Sequence, residues 1–177
     1  MASLNQKTRL PEVPEVNESA LIQIVTGGIN AGKSSKLFSI YREVGQGDGF
    51  INLKVFEGGS YVGQKIMRLS TGESECFSFK EGFIPSDWDE AYRYDAYSFS
   101  RRGLTFANKT ITDIIVRGTE PVFIDEIGPL ELEKKGFFHA FKGLLAAQKK
   151  IYVVVRCSCV ERVVNEFGLG KYQIIKS

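Results

Sequence analysis

The chain has 177 residues, 43% hydrophobic and 25% charged, with a formal net charge of +2. That suffices for one domain with a sizeable core, and the charge is too small to imply nucleic-acid binding. No apolar run approaches a membrane span, Met1-Ala2-Ser3-Leu4 opens no signal peptide, and Cys76, Cys157 and Cys159 read as reduced thiols of a cytoplasmic protein.

Residues 1–20 hold Pro11, Pro14 and several charges without an apolar period, and are expected to form a flexible arm. The domain proper runs over 21–177. Residues 21–26 are short, mostly apolar and β-branched, as in a buried parallel strand. Gly27-Gly28-Ile29-Asn30-Ala31-Gly32-Lys33-Ser34 follows and fills every fixed position of G-x-x-x-x-G-K-[ST]. Glycines let the backbone turn tightly and aim several N–H groups into one hollow. The next helix, expected over 34–44 with Leu37, Phe38, Ile40, Tyr41 and Val44 on its apolar side, points its positive end at the same hollow. Gly45 stops it.

This strand, loop and helix make residues 27–35, including Ser35, a candidate cradle for the phosphates of a nucleoside triphosphate. Lys33 is placed to reach the β/γ-phosphates and Ser34 to offer a hydroxyl to Mg²⁺. Asn30 is a candidate contact to a bridging phosphate oxygen, though loop geometry alone accounts for it equally.

An antiparallel insert is expected over about residues 49–98. Phe50, Ile51, Leu53, Val55 and Phe56, then Tyr61, Val62, Ile66 and Met67, flank the turn signal Glu57-Gly58-Gly59-Ser60, which predicts a β-hairpin. Residues 76–79 read as a further strand, 81–90 as a loop, and 92–97 as one more alternating strand. Tyr92, Tyr94, Tyr97 and Phe99 form either one face of a half-buried strand or a surface for stacking on a base. A helix is predicted over 102–117.

Residues 121–126 form an apolar run ending in Asp125-Glu126. Ligands of open α/β sheets bind at the C-terminal ends of strands. Asp125 is therefore a candidate Mg²⁺ ligand, and Glu126 a candidate base for an attacking water. A helix over 137–148, a buried strand over 151–155, a short helix over 159–167 and a strand over 172–175 complete the chain. Strands alternating with helices imply an α/β architecture, a mainly parallel sheet with helices on both faces and the antiparallel region at one edge.

The phosphate-loop stretch, together with Phe123-Ile124-Asp125-Glu126-Ile127-Gly128-Pro129-Leu130-Glu131-Leu132, resembles the small P-loop nucleoside-triphosphatase family of thermophilic archaea and bacteria, which includes the human cancer-related nucleoside-triphosphatase. The resemblance covers roughly residues 21–175. It implies the P-loop NTPase fold and slow, Mg²⁺-dependent hydrolysis of ATP, GTP and other nucleoside triphosphates to diphosphate and phosphate.

Arg101, which with Arg102 opens a predicted helix, is a candidate cation for the charge that spreads over the γ-phosphate during transfer. The alternative is a pair of solvated arginines. Arg156 ends a strand parallel to the acidic one and is a candidate phosphate or base contact, or simply an ion-pair partner. His139 reads as a surface residue, too far from the cysteines for a zinc site. Two other functions share these motifs. One is a kinase whose acceptor sits in the hairpin region. The other is a nucleotide-dependent switch that engages a protein partner through the arm or the hairpin.

Overall fold

The computed structural model describes residues 21–177, so the arm expected over 1–20 lies outside the described residues. The elements, in chain order, are β1 (Ile22–Gly27), α1 (Lys33–Val44), β2 (Asp48–Glu57), β3 (Ser60–Arg68), β4 (Ser74–Lys80), β5 (Glu90–Tyr94), β6 (Tyr97–Ser100), α2 (Arg101–Arg117), β7 (Val122–Ile127), α3 (Pro129–Leu132), α4 (Phe138–Ala146), β8 (Ile151–Arg156), α5 (Val160–Phe167) and β9 (Tyr172–Lys176).

All nine strands form one sheet in the order β5-β6-β4-β3-β2-β7-β8-β1-β9. From β2 to β9 every neighbour runs parallel; from β2 outward to β5 every neighbour runs antiparallel. β2 is the seam between the halves. It approaches β7 closely at Gly49, where a side-chain carbon would collide with the Phe123 carbonyl.

Alternation along the central strands sends successive residues to opposite faces. Val25, Phe123, Tyr152 and Val154 pack against Leu37 and Ile40 of α1 on one face. Ile24, Ile124, Val153 and Val155 pack against Ala107, Ile111 and Ile114 of α2, Phe141 and Leu144 of α4, and Val163 of α5 on the other. The sheet is thus covered on both sides, which is why its central strands are continuously apolar. Among the described residues, no helix is long and apolar enough to cross a membrane, and all three cysteines are free.

The helix ends follow local chemistry. Gly45 and Gly118 close α1 and α2 in the left-handed conformation. The Ser100 hydroxyl accepts the Gly103 N–H at the start of α2. The expected hairpin turns at Gly58-Gly59, both at positive φ.

Two elements differ from expectation. The alternation over 92–97 is broken by Asp95 at φ 51°, so two short paired strands replace one; Asp tolerates this conformation in turns. α3 is a single turn after the acidic strand, too short to carry an apolar period.

Candidate active site

β1 delivers the chain into an exposed loop whose tip, Ile29, is 90% exposed. Asn30 and Gly32 adopt positive φ, 58° and 80°, to turn the loop into α1. α1 has no side-chain cap and no acidic residue in its first turn. Its leading N–H groups are therefore left to an anion. Lys33, the first residue of α1, folds its Nζ back to donate to the Gly28 carbonyl at 2.6 Å, and Ser34 follows it in the first turn.

Two strands away, at the C-terminal end of β7, the pairing with β8 is irregular between Ile124 and Ile127. Asp125 and Glu126 occupy that irregularity, and the peptide bond between them is cis. Asp125 is only 1% exposed. Its carboxylate accepts the Asn52 backbone N–H at 3.1 Å and lies near the Ser34 hydroxyl. The Asn52 amide nitrogen also donates to the Asp125 carbonyl at 2.6 Å. Burial pushes the Asp125 carboxyl up to about 6, and the Glu126 charge adds to it; Ser34, Asn52 and Lys33 pull the other way.

Glu126 points elsewhere. One of its carboxylate oxygens accepts Arg156 Nε at 2.6 Å. Arg156 sits opposite Gly27 in the β1–β8 register, so the end of β8 sets this residue's backbone beside the first glycine of the loop. The structure thus gathers residues 27–34, Asp125, Glu126 and Arg156 at one edge of the parallel half, with Ser35 exposed on the first turn of α1.

Arg101 is not brought to this cluster. It follows β6, the sixth strand along from β1, or roughly 30 Å at the usual strand spacing. Its guanidinium pairs with Asp89 at 3.3 Å and donates to the Glu90 carbonyl. Of the aromatic stripe, Tyr92 stacks on Phe99 against the core. His139 is exposed, its ring edge against Phe138.

Three further residues bond to these segments. Lys54, on β2, reaches over the loop and donates to Asn30 Oδ1 at 3.1 Å. Asn52 fixes Asp125 as described. Glu131 is buried and accepts the N–H groups of Gly128 and Phe137 at 2.8 and 2.9 Å, which holds the turn after Glu126. Burial, opposed by those backbone bonds, pushes its carboxyl up to about 7. For Lys54 and Asn52 the sequence carried no local signal, since both act through the β2 pairings.

The donors around Ser34 and Asp125 are hard oxygens, which suits Mg²⁺. Among the described residues, no three His, Cys, Asp or Glu side chains cluster as a metal cage. Mg²⁺ characteristically takes one or two carboxylates and completes its shell with water and phosphate oxygens, so this donor set fits it.

Known proteins are similar to this chain in sequence and in fold. The chain is 28% identical to the nucleoside-triphosphatase THEP1 of Thermococcus kodakarensis over 149 residues, spanning 81% of this chain and 80% of that one. It is 24% identical to THEP1 of Archaeoglobus fulgidus, spanning 81% and 84%. In fold it is similar to the crystal structure of THEP1 from the hyperthermophile Aquifex aeolicus, with a TM-score of 0.66 at 21% identity over 88% of each chain. It is also similar to the solution structure of a human cancer-related nucleoside triphosphatase, with a TM-score of 0.60 at 21% identity over 86% of each. The family described as NTPase matches residues 23–176, which takes in the phosphate loop, the acidic strand end and the strands that align them, and the chain belongs to that family.

Proposed function

We propose that the chain hydrolyses nucleoside triphosphates, ATP and GTP among them, by in-line attack of water on the γ-phosphorus, with Mg²⁺ held by Ser34 and Asp125. The observation that carries this reading is the buried Asp125 carboxylate near Ser34, beside an exposed, uncapped phosphate loop and with Glu126 next in the chain. The N–H groups of the loop and of the first turn of α1 take the phosphate oxygens. Lys33 leaves the Gly28 carbonyl for the β/γ-phosphates. When bound, Mg²⁺ would neutralise charge on the phosphate oxygens.

Glu126 orients the water and accepts its proton. Arg156 fixes the Glu126 carboxylate and brings positive charge to the terminal phosphate. Lys54 adds a further cation from the hairpin, in the role the sequence suggested for Arg101.

The test is phosphate release from ATP and GTP against Mg²⁺ concentration, in the parent and in Asp125→Asn. The expected result is release that requires Mg²⁺, with the half-saturating concentration raised in the variant. Release of equal rate in excess chelator would overturn the metal assignment.

A further inference from the structure

A cavity of about 200 Å³ opens beside Glu126 on the side away from the phosphate loop. Asn52, Glu126 and Arg156 give it polar lining, Tyr61, Tyr94, Tyr97 and Phe99 give it aromatic lining, and no residue of the phosphate loop lines it. The sheet order explains the placement. The loop belongs to β1, the carboxylates lie two strands on at β7, and the cavity continues in the same direction under β2, β3, β4 and β6. In-line displacement puts the attacking oxygen opposite the leaving diphosphate. A hollow beyond Glu126 is therefore on the attacking side of the terminal phosphate.

The lining selects its occupant. Tyrosine and phenylalanine faces suit a planar ring. Asn52 and Gln64 add side-chain amides to the lining, which suit an occupant with hydrogen-bonding groups. Three carboxylates, Asp95, Glu126 and Glu131, line the space against the single guanidinium of Arg156, which disfavours an anionic occupant such as a nucleoside monophosphate.

We infer that this cavity is an acceptor site for an uncharged, planar heteroaromatic small molecule bearing a hydroxyl, to which the chain transfers the γ-phosphoryl group in place of water. The inference rests on the reading of Glu126 as the base. The acceptor oxygen forms a bond to the γ-phosphorus, and the bond from phosphorus to the β,γ-bridging oxygen breaks. The electron pair leaves with the nucleoside diphosphate, and the hydroxyl proton goes to Glu126. With the cavity empty, water takes the acceptor's place and the same residues perform hydrolysis.

The probes are adenosine, guanosine, cytidine, uridine and thymidine, each incubated with the protein, Mg²⁺ and γ-labelled ATP. The expected result is label in at least one nucleoside monophosphate, with phosphate release falling as that product grows. Tyr94→Ala should raise the nucleoside concentration needed by about threefold to tenfold, the value of one lost ring contact, with hydrolysis in the absence of nucleoside unchanged. Gln64→Leu, on the β3 wall, should act in the same direction and guards against a folding defect in the first variant. Hydrolysis without label in any nucleoside overturns the inference, as does transfer that neither variant weakens. Absence of phosphate release in the reaction without nucleoside would instead remove the hydrolytic reading on which the inference stands.

Discussion

Glu126→Gln separates binding from chemistry more cleanly than any other single change. The perturbation removes a charge and a proton acceptor and keeps the size of the side chain. Its structural cost is set by what Glu126 touches, a single ion pair to Arg156 at 2.6 Å whose side chains are 54% and 25% exposed for Arg156 and Glu126. Pairs this open to water contribute at most about 1 kcal/mol. In a chain of this size that shifts the melting temperature by about 2–4 °C. The catalytic cost is larger. Losing a positioned general base slows a reaction about 10²–10⁴-fold, which is roughly 3–5 kcal/mol in the barrier. Lys33, Ser34 and Asp125 are untouched, and Arg156 is released from its carboxylate, so triphosphate affinity should hold or rise slightly. The assay is threefold: turnover by phosphate release at saturating triphosphate, affinity by calorimetric titration, and thermal unfolding. Turnover at the parent rate, with unchanged affinity, would refute Glu126 as the water-orienting residue.

Three other substitutions probe different parts of the account. Lys54→Met should lower turnover about tenfold to a hundredfold, the worth of a charge-assisted contact, without lowering the melting temperature, because its side chain is exposed and donates to exposed Asn30; steady-state kinetics beside a melting curve checks both. Asp48→Ala tests the base of the sheet, where Asp48 accepts Arg68 Nε at 2.7 Å and the N–H groups of Gly49 and Ser70, all far along β2 from the loop. Leaving Arg68 half-buried and short of a partner should cost about 3–5 kcal/mol, read by urea unfolding, and a loss under about 1 kcal/mol would contradict the pairing. Glu131→Gln tests the buried carboxyl after the acidic strand. Its folded value of about 7 lies above its ordinary 4.5, so the parent keeps this group's full contribution below pH 4.5 and loses it as pH rises through 7. The stability of the parent relative to the variant should therefore fall between pH 5 and pH 8, and a difference flat in pH would contradict it.

What was legible in the sequence was local. The phosphate loop is a contiguous run whose spacing encodes its own geometry, and Asp125-Glu126 announces a strand end by interrupting an apolar run. The hairpin at Gly58-Gly59 was likewise written in its turn residues. The rest depends on register. Asn52 reaches Asp125 across 73 positions because β2 pairs with β7, and Lys54 reaches Asn30 across 24 because β2 extends past the sheet edge beside the loop. Neither residue type is distinctive, so nothing in the string marked them. Arg101 shows the converse. Its position before a helix suggested a phosphate contact, and the strand order carries it to the far side of the sheet, into a pair with Asp89. α3 escaped notice because one turn has no period. It is held by Glu131, whose carboxylate joins Gly128 and Phe137 across the turn.

The central claim is that the loop at residues 27–34 binds the triphosphate that is cleaved. Lys33→Ala tests it most directly, because Lys33 makes one exposed hydrogen bond, to the Gly28 carbonyl, and little packing is lost with it. Phosphate release from ATP, GTP, CTP and UTP with Mg²⁺ should be measured for parent and variant, with thermal unfolding to show that both are folded. The account predicts release from the parent and its near-complete loss in a variant that melts as the parent does. Parent-like, Mg²⁺-dependent release from Lys33→Ala would contradict it.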